Sequence, residues 1–367
     1  MARAGLGPAW RCLFANDFDP RKGAAYRRAW GGEELRVGDV AALAPADLLG
    51  AADLAWASFP CQDLSLAGLG AGLQGERSGA FWPFWRLIEG LRAEGRAPRL
   101  VVLENVVGAL TSHGGGDFRA LCEAMAAADY RFGALVVDAL DFTPQSRPRL
   151  FVIATAGAPP PGLTAAAPSP RWHPRALLEA QMGLSLAAKR GWLWWRLPEP
   201  PKRNTALIDL LEENPPDAPW RPDAQTRRLL SLMAEPHRRK LEAALAAPER
   251  QVGALFRRTR TEAGAKAQRA EVRFDGVAGC LRTPAGGSSR QTLLLVERGE
   301  VRSRHLSARE AARLMGLPDA YPLPARATEA HHLVGDGVVV PVVRFLAEHL
   351  LEPLLAAREP APKARRA

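Results

Sequence analysis

Between residue 11 and about 155, short apolar runs alternate with stretches whose apolar residues recur every three or four positions. Cys12 to Asn16, Asp53 to Ser58, Leu100 to Leu103, Ala134 to Val137 and Leu150 to Ala154 read as strands. Phe81 to Glu94 and Gly116 to Ala128 are long enough for helices that carry the chain from one strand to a parallel neighbour. Such alternation predicts an α/β fold, a mostly parallel sheet covered by helices.

The alternation stops near Ala156, where AGAPPPGLTAAAPSPRWHP opens a region that stays irregular to about Gly299. A separate, smaller domain is expected there. Within it, residues 224–273 hold twelve Lys or Arg against five acidic residues, much of it at helical spacing (AQTRRLLSLMAEPHRRKLEAAL). That pattern suits a solvated helix face and a phosphate-facing one equally well. From Arg302 regularity returns. LSAREAARLMG places Ser307 as a helix cap with Glu310 three residues on, and a last apolar stretch runs from Val338 to Leu351. The predicted division is 1–155, 156–300, a returning segment 301–350, and a Pro-, Ala- and Arg-rich tail 351–367 expected to be disordered.

Composition narrows the class. With 367 residues, 47% of them hydrophobic, the chain can bury one large core or two smaller ones. The formal net charge of +10 and the pI near 10.1 favour a polyanion partner over a mere compositional preference for Arg. Cys12, Cys61, Cys122 and Cys280 lie far apart, without the paired spacing of a zinc site or a disulfide framework, so no metal and a reducing compartment are expected. No apolar run approaches the roughly 18 residues of a membrane span, and no leader pattern opens the chain. A cytoplasmic protein is the expectation, monomeric by default.

Candidate chemistry gathers at strand ends. DLAWASFPCQDLS puts Cys61 just past a strand, RLVVLENV does the same for Glu104 and Asn105, and TPQSRPRLFVIA puts Arg147 and Arg149 at a strand entrance. Ligands of open α/β sheets bind outside the carboxyl ends of the strands, so Cys61 and Glu104 are expected to share a crevice. Arginines nearby would lower the thiol pKa toward a nucleophilic thiolate. Taken singly, each residue also fits a structural role.

Their order carries more. Pro60-Cys61-Gln62, then Glu104-Asn105-Val106, then Gln145-x-Arg147-x-Arg149 resembles the successive motifs of the cytosine-C5 DNA methyltransferase family. Also similar to that family are FANDFDP (14–20), VGDV (37–40), RSGAFW (77–82), RHLSAREAARLMGLPDAY (304–321) and VGDGVVVPV (334–342). The resemblance covers residues 1 to about 155 and 302 to 350. It implies a Rossmann-like, S-adenosylmethionine-dependent methyltransferase domain with an inserted target-recognition domain. It further implies transfer of a methyl group from S-adenosyl-L-methionine to C5 of a cytosine flipped out of double-stranded DNA.

Carried over by motif, the resemblance gives Cys61 the bond to cytosine C6 and Glu104 a proton shared with N3 and the exocyclic amine. Arg149 would hold the base O2, and Arg147 would steady the thiolate and a neighbouring phosphate. Asp17 would accept the cofactor ribose hydroxyls and Phe18 would cover the adenine. Asp39 and Val40 would meet the adenine edge and ring, with Pro60, Asp336 and Val338 completing the cofactor set. Gln62 and Ser65, on a Gly-containing loop, would enter the space left by the base. At the end of the recognition region, CLRTPAGGSSRQTLLLV (280–296) offers Arg282, Ser288, Ser289, Arg290 and Gln291 to base edges or phosphates. A cognate restriction endonuclease is a further expected partner.

The sequence departs from the family at three points. The family opens with a strand and a loop resembling F-x-G-x-G-G, whereas MARAGLGPAW resembles the helix that follows it. A start codon upstream is expected; the other reading is a DNA-binding remnant that lost cofactor binding, with neighbouring strands left unpaired. Asp336 and Gly337 stand where the family has Asn and Ser or Ala, and an ionised Asp cannot donate the hydrogen bond that Asn gives. Ser78 replaces a Gly. A methyltransferase acting on transfer RNA and a Cys hydrolase using His113 are the remaining alternatives.

Overall fold

The computed structural model describes residues 1–59, 80–262, 264–283 and 290–356. α1 (Ala2–Leu6) leads to β1 (Ala15–Asp17), α2 (Pro20–Trp30) and β2 (Leu35–Val37). Asp19 caps α2 by accepting from the Arg21 amide, Pro20 fills its first turn, and Gly31 at φ 82° ends it. β1 and β2 pair in parallel as a two-stranded sheet. The strand expected over Cys12 to Asn16 is therefore shorter and later, and three-residue β2 is too brief for a periodicity to announce it.

The main sheet contains β3 (Leu54–Ser58), β4 (Leu100–Val106), β5 (Arg131–Asp138) and β6 (Pro148–Thr155), in the order β3-β4-β6-β5. α3 (Phe81–Ala93) and α4 (Gly116–Ala127) form the crossovers, close to the bounds expected from spacing. β3 and β4 run parallel, but β6 runs antiparallel to both β4 and β5. The sheet is thus mixed rather than mostly parallel, because the link from β5 to β6 (139–147) is too short for a crossover helix.

Beyond residue 155 come β7 (Thr164–Ala165), α5 (Arg175–Met182), α6 (Leu186–Gly191) and β8 (Trp194–Trp195), then α7 (Asp223–Ser231) and α8 (Glu235–Ala246). β9 (Gln251–Glu262), β10 (Ala265–Arg273), β11 (Thr292–Glu297) and β12 (Glu300–His305) build an antiparallel sheet ordered β10-β9-β11-β12. β12 crosses position 300, so this sheet ends at His305. Trp172, Trp195 and Leu207 are buried in the same apolar cluster as Phe151 and Ile153 of β6 and Leu293 and Leu295 of β11.

α9 (Ala308–Leu314), α10 (Ala327–Asp336) and α11 (Val340–Leu346) return to the main sheet, and a π turn (Ala347–Leu351) leads into α12 (Glu352–Ala356). Ser307 caps α9 as its sequence predicts, in a reciprocal box with Glu310. Glu310 also takes a two-pronged ion pair from Arg304 of β12, with both side chains buried. Residues 351–356, expected to open a disordered tail, are helical instead. Leu351 and Leu354 are buried in the core, which holds this last turn as helix. Among the described residues no helix is long and apolar enough to cross a membrane.

Candidate active site

Three strands bring Glu104 and Arg149 together at the carboxyl end of β4. Glu104 pairs with Ser58 of β3 on one side and with Phe151 of β6 on the other, and it is 6% exposed. Arg149, opposite Val106 in register, sends its Nε to 3.2 Å from Glu104 Oε1. Burial pushes the Glu104 carboxyl up, against the pull of Arg149, a hydrogen bond from Ser58 and the charge of Arg147. The result is a carboxyl able to carry a proton beside a fixed guanidinium.

Asn105 does a different job. Its Nδ2 donates to the Phe59 carbonyl (3.1 Å), and its Oδ1 accepts from the Val106 amide (2.8 Å). The Phe59 ring is anchored on Phe81 of α3, with centroids 5.7 Å apart. The exit of β3 is therefore fixed two residues before Cys61. Pro60, Cys61, Gln62 and Ser65 themselves lie outside the described residues, as do Ser288 and Ser289.

Arg147 departs from its expected role. It is 2% exposed, and its guanidinium donates to the carbonyls of Leu281 (2.6 Å), Gly335 (2.9 Å) and Gly337 (2.8 Å). Those three bonds make Arg147 a clamp between residue 281 and residues 335–337. Gln145 works alongside it, donating to the Leu314 carbonyl (3.0 Å) and accepting from the Leu281 amide (3.1 Å). A Cβ on Gly335 would stand 2.6 Å from the Thr283 nitrogen, so only glycine allows this approach of α10 to residues 281–283. Sequence reasoning placed Gln145 in a motif but gave it no task; its burial between two distant segments leaves no local signature.

The cofactor candidates divide. Asp17 ends β1 and Asp39 lies just past the end of its parallel partner β2, where Asp17 Oδ1 accepts from the Asp19 amide and Asp39 Oδ1 from the Ala41 amide. Phe18 is 76% exposed, an unusual state for so large an apolar ring. A carboxylate and a bare aromatic face at the ends of parallel strands fit a nucleoside. Asp336 does not fit as expected: Lys22 of α2 pairs with it at 2.6 Å, and Thr283 donates a hydrogen bond to it. Val338 is buried in the core.

Of the expected DNA contacts, Arg282 is exposed and Arg290 donates to Thr328 (2.9 Å). Gln291 is corrected. At 4% exposure it accepts from the Gly279 amide and donates to the Leu255 carbonyl, which uses both ends of its amide on backbone.

The chain matches the sequence profile of the family described as C-5 cytosine-specific DNA methylase over residues 1–352. Type II methyltransferase M.NlaX of Neisseria lactamica is 26% identical over 350 residues, covering 95% of this chain and 91% of that protein. Type II methyltransferase M.HhaI of Haemophilus parahaemolyticus is 24% identical over 340 residues, covering 92% and 87%. Among solved structures, the S. pombe Dnmt2 methyltransferase superposes with a TM-score of 0.56 at 18% identity, covering 94% of this chain and 91% of that one. A putative DNA modification methyltransferase encoded in an E. coli prophage gives 0.53 at 16% identity, covering 96% and 95%. These likenesses establish a methyltransferase fold of mixed α/β content, and the family match extends through both the sheet residues and the returning C-terminal segment. The chain therefore belongs to the C-5 cytosine-specific DNA methylase family and is a DNA (cytosine-5-)-methyltransferase.

Proposed function

We propose that this chain methylates cytosine at C5 within a specific duplex sequence, on a base flipped out of the stack, through a covalent adduct of Cys61. The observation that carries the reading is the Glu104–Arg149 pair, 3.2 Å apart, at a strand end whose neighbour leads directly to Cys61. Cytosine C5 is a weak nucleophile until a group adds to C6. The Cys61 thiolate forms that bond, and the ring's electron pair moves toward N3. Glu104, whose carboxyl burial pushes up, delivers a proton there, so the adduct is a neutral enamine rather than an anion. Arg149 holds O2 and supplies positive charge where negative charge develops. After transfer, loss of the C5 proton expels Cys61, N3 returns its proton to Glu104, and the ring is restored.

S-adenosyl-L-methionine, when bound, supplies an electrophilic methyl group. Asp17, Phe18, Asp39, Val40 and Pro60 are the residues proposed to hold it. Residues 1–155 and 301–350 form the catalytic part in this reading, and 156–300 the target-recognition insertion. Gln62 and Ser65 fill the vacated base position, while Arg282, Ser288, Ser289 and Arg290 face DNA. The enzyme acts as a monomer, with an endonuclease of the same specificity as partner.

Bisulfite sequencing of plasmid DNA from cells expressing the protein tests this. Context-specific 5-methylcytosine is expected from the wild type and none from Cys61→Ser. Methyl transfer to transfer RNA but not to duplex DNA would overturn it.

A further inference from the structure

The hairpin β9–β10 projects as a two-stranded ribbon whose two faces differ in charge. Directly paired residues of antiparallel strands share a face. One face carries Phe256, Arg258, Arg260 and Glu262 opposite Glu271, Arg269, Ala267 and Ala265. Its arginines are neutralised there: Arg258 lies 3.3 Å and Arg260 2.5 Å from Glu271, and Arg269 pairs with Glu262. The opposite face carries Arg257, Thr259 and Thr261 opposite Ala270, Gln268 and Lys266. Both carboxylates of the two strands fall on the first face, so the second carries no acidic residue.

That second face looks onto α7 across a cleft of about 620 Å³, none of whose nine lining residues is acidic. Arg221, Gln225 and Arg228 enter it from the α7 side, Arg257 and Gln268 from the ribbon, and His305 from the end of β12. Arg221 donates to His305 Nε2 at 2.9 Å, which fixes its guanidinium and needs a neutral imidazole. Burial and the charge of Arg221 push the His305 pKa down to about 4. Thr259 Oγ1 accepts from Gln268 Nε2 at 2.7 Å, which orients that amide. Arg221 and Arg228, converging in a cleft with no acidic residue among its described lining, draw an anion. A two-stranded ribbon also has the width that the major groove of B-DNA admits. The same end of the sheet is tied to the active site, since Gln291, just before β11, holds Gly279, and Arg147 holds Leu281.

We propose that the acid-free face of the β9–β10 ribbon, with α7, forms the duplex-reading surface of this enzyme: Arg221 and Arg228 hold a backbone phosphate, and Gln268 meets a base edge. The assignment rests on the proposed function above, and it moves sequence reading away from Gln291, whose amide is spent on backbone.

Two exposed positions test it without touching the core. Binding of a mixed-sequence duplex is measured across a salt series for wild type, Arg228→Gln and, as a control on the neutralised face, Arg260→Gln. Arg228→Gln is expected to reduce the slope of log K against log salt by about 0.9, the loss of one phosphate contact, with Arg260→Gln unchanged. Bisulfite sequencing of DNA methylated by Gln268→Ala is expected to show preference at one base pair falling about tenfold. An unchanged slope in Arg228→Gln or an unchanged context in Gln268→Ala overturns the inference. If the wild type itself neither binds duplex DNA nor leaves 5-methylcytosine, the enzymatic reading fails with it; a normal wild type with indifferent variants overturns the inference alone.

Discussion

The side-chain amide of Asn105 holds the carbonyl of Phe59, 46 residues earlier in the chain, at 3.1 Å. That bond couples the strand bearing Glu104 to the strand that precedes Cys61, the two groups proposed to react with the base. Asn105→Ala would leave a carbonyl beside the buried Phe59 ring without its donor. A stability loss of about 1 to 3 kcal/mol is expected in urea unfolding. Turnover is expected to fall about a hundredfold through misplacement of the thiol, with duplex affinity little changed.

Glu104 predicts a pH dependence. Its folded pKa is raised by burial, so the protonated, proton-giving form is lost as pH rises through that value. The same shift means that its contribution to stability is fully present below the unfolded pKa and disappears as pH rises through the folded one. Arg149 opposes the shift. In Arg149→Gln the alkaline limb of the single-turnover rate should therefore move to higher pH, on a lower plateau. A limb that stays in place, or moves to lower pH, would show that Glu104 is not the titrating group.

Arg147 is expected to behave as a structural residue. Its three carbonyl partners lie on two segments far from it in sequence, and a charged donor to each is worth more than a neutral one. Arg147→Ala should lower the unfolding free energy by about 3 kcal/mol or more, read from the urea midpoint at constant m. Arg147→Lys should recover only part, because an ammonium cannot span the three carbonyls.

How much of this was legible beforehand depends on what each residue contacts. Glu104 and Arg149 meet across adjacent strands, and their motifs sit at strand ends, so order along the chain was enough to pair them. Gln291 faces inward with its amide spent on backbone, which residue type alone does not reveal. The ribbon was hidden for another reason. Residues 251–273 mix Arg, Ala and Thr without a clean two-residue apolar period, since beyond Phe256 both faces of the hairpin are largely exposed. Asp336 raised doubt as a replacement for Asn, and its partner Lys22 gives the physical content: a charge pair tying α2 to the end of α10.

Phe18 makes a prediction separable from folding. Exposed as it is, Phe18→Ala should alter stability by no more than about 0.5 kcal/mol. If the ring covers the adenine, S-adenosylmethionine affinity by calorimetry should fall about tenfold. Unchanged affinity would remove Phe18 from the cofactor site.

The covalent adduct is the central claim, and trapping it is the most direct test. A duplex carrying the context found by bisulfite sequencing, with 5-fluorocytosine at the target, is incubated with enzyme and S-adenosylmethionine and then analysed by denaturing electrophoresis and mass spectrometry. Fluorine cannot leave as a proton does, so the adduct should persist. The account predicts an enzyme–DNA species linked through the peptide containing Cys61, absent from Cys61→Ser. A methylated product with no linked species, or a linkage at another residue, would contradict it.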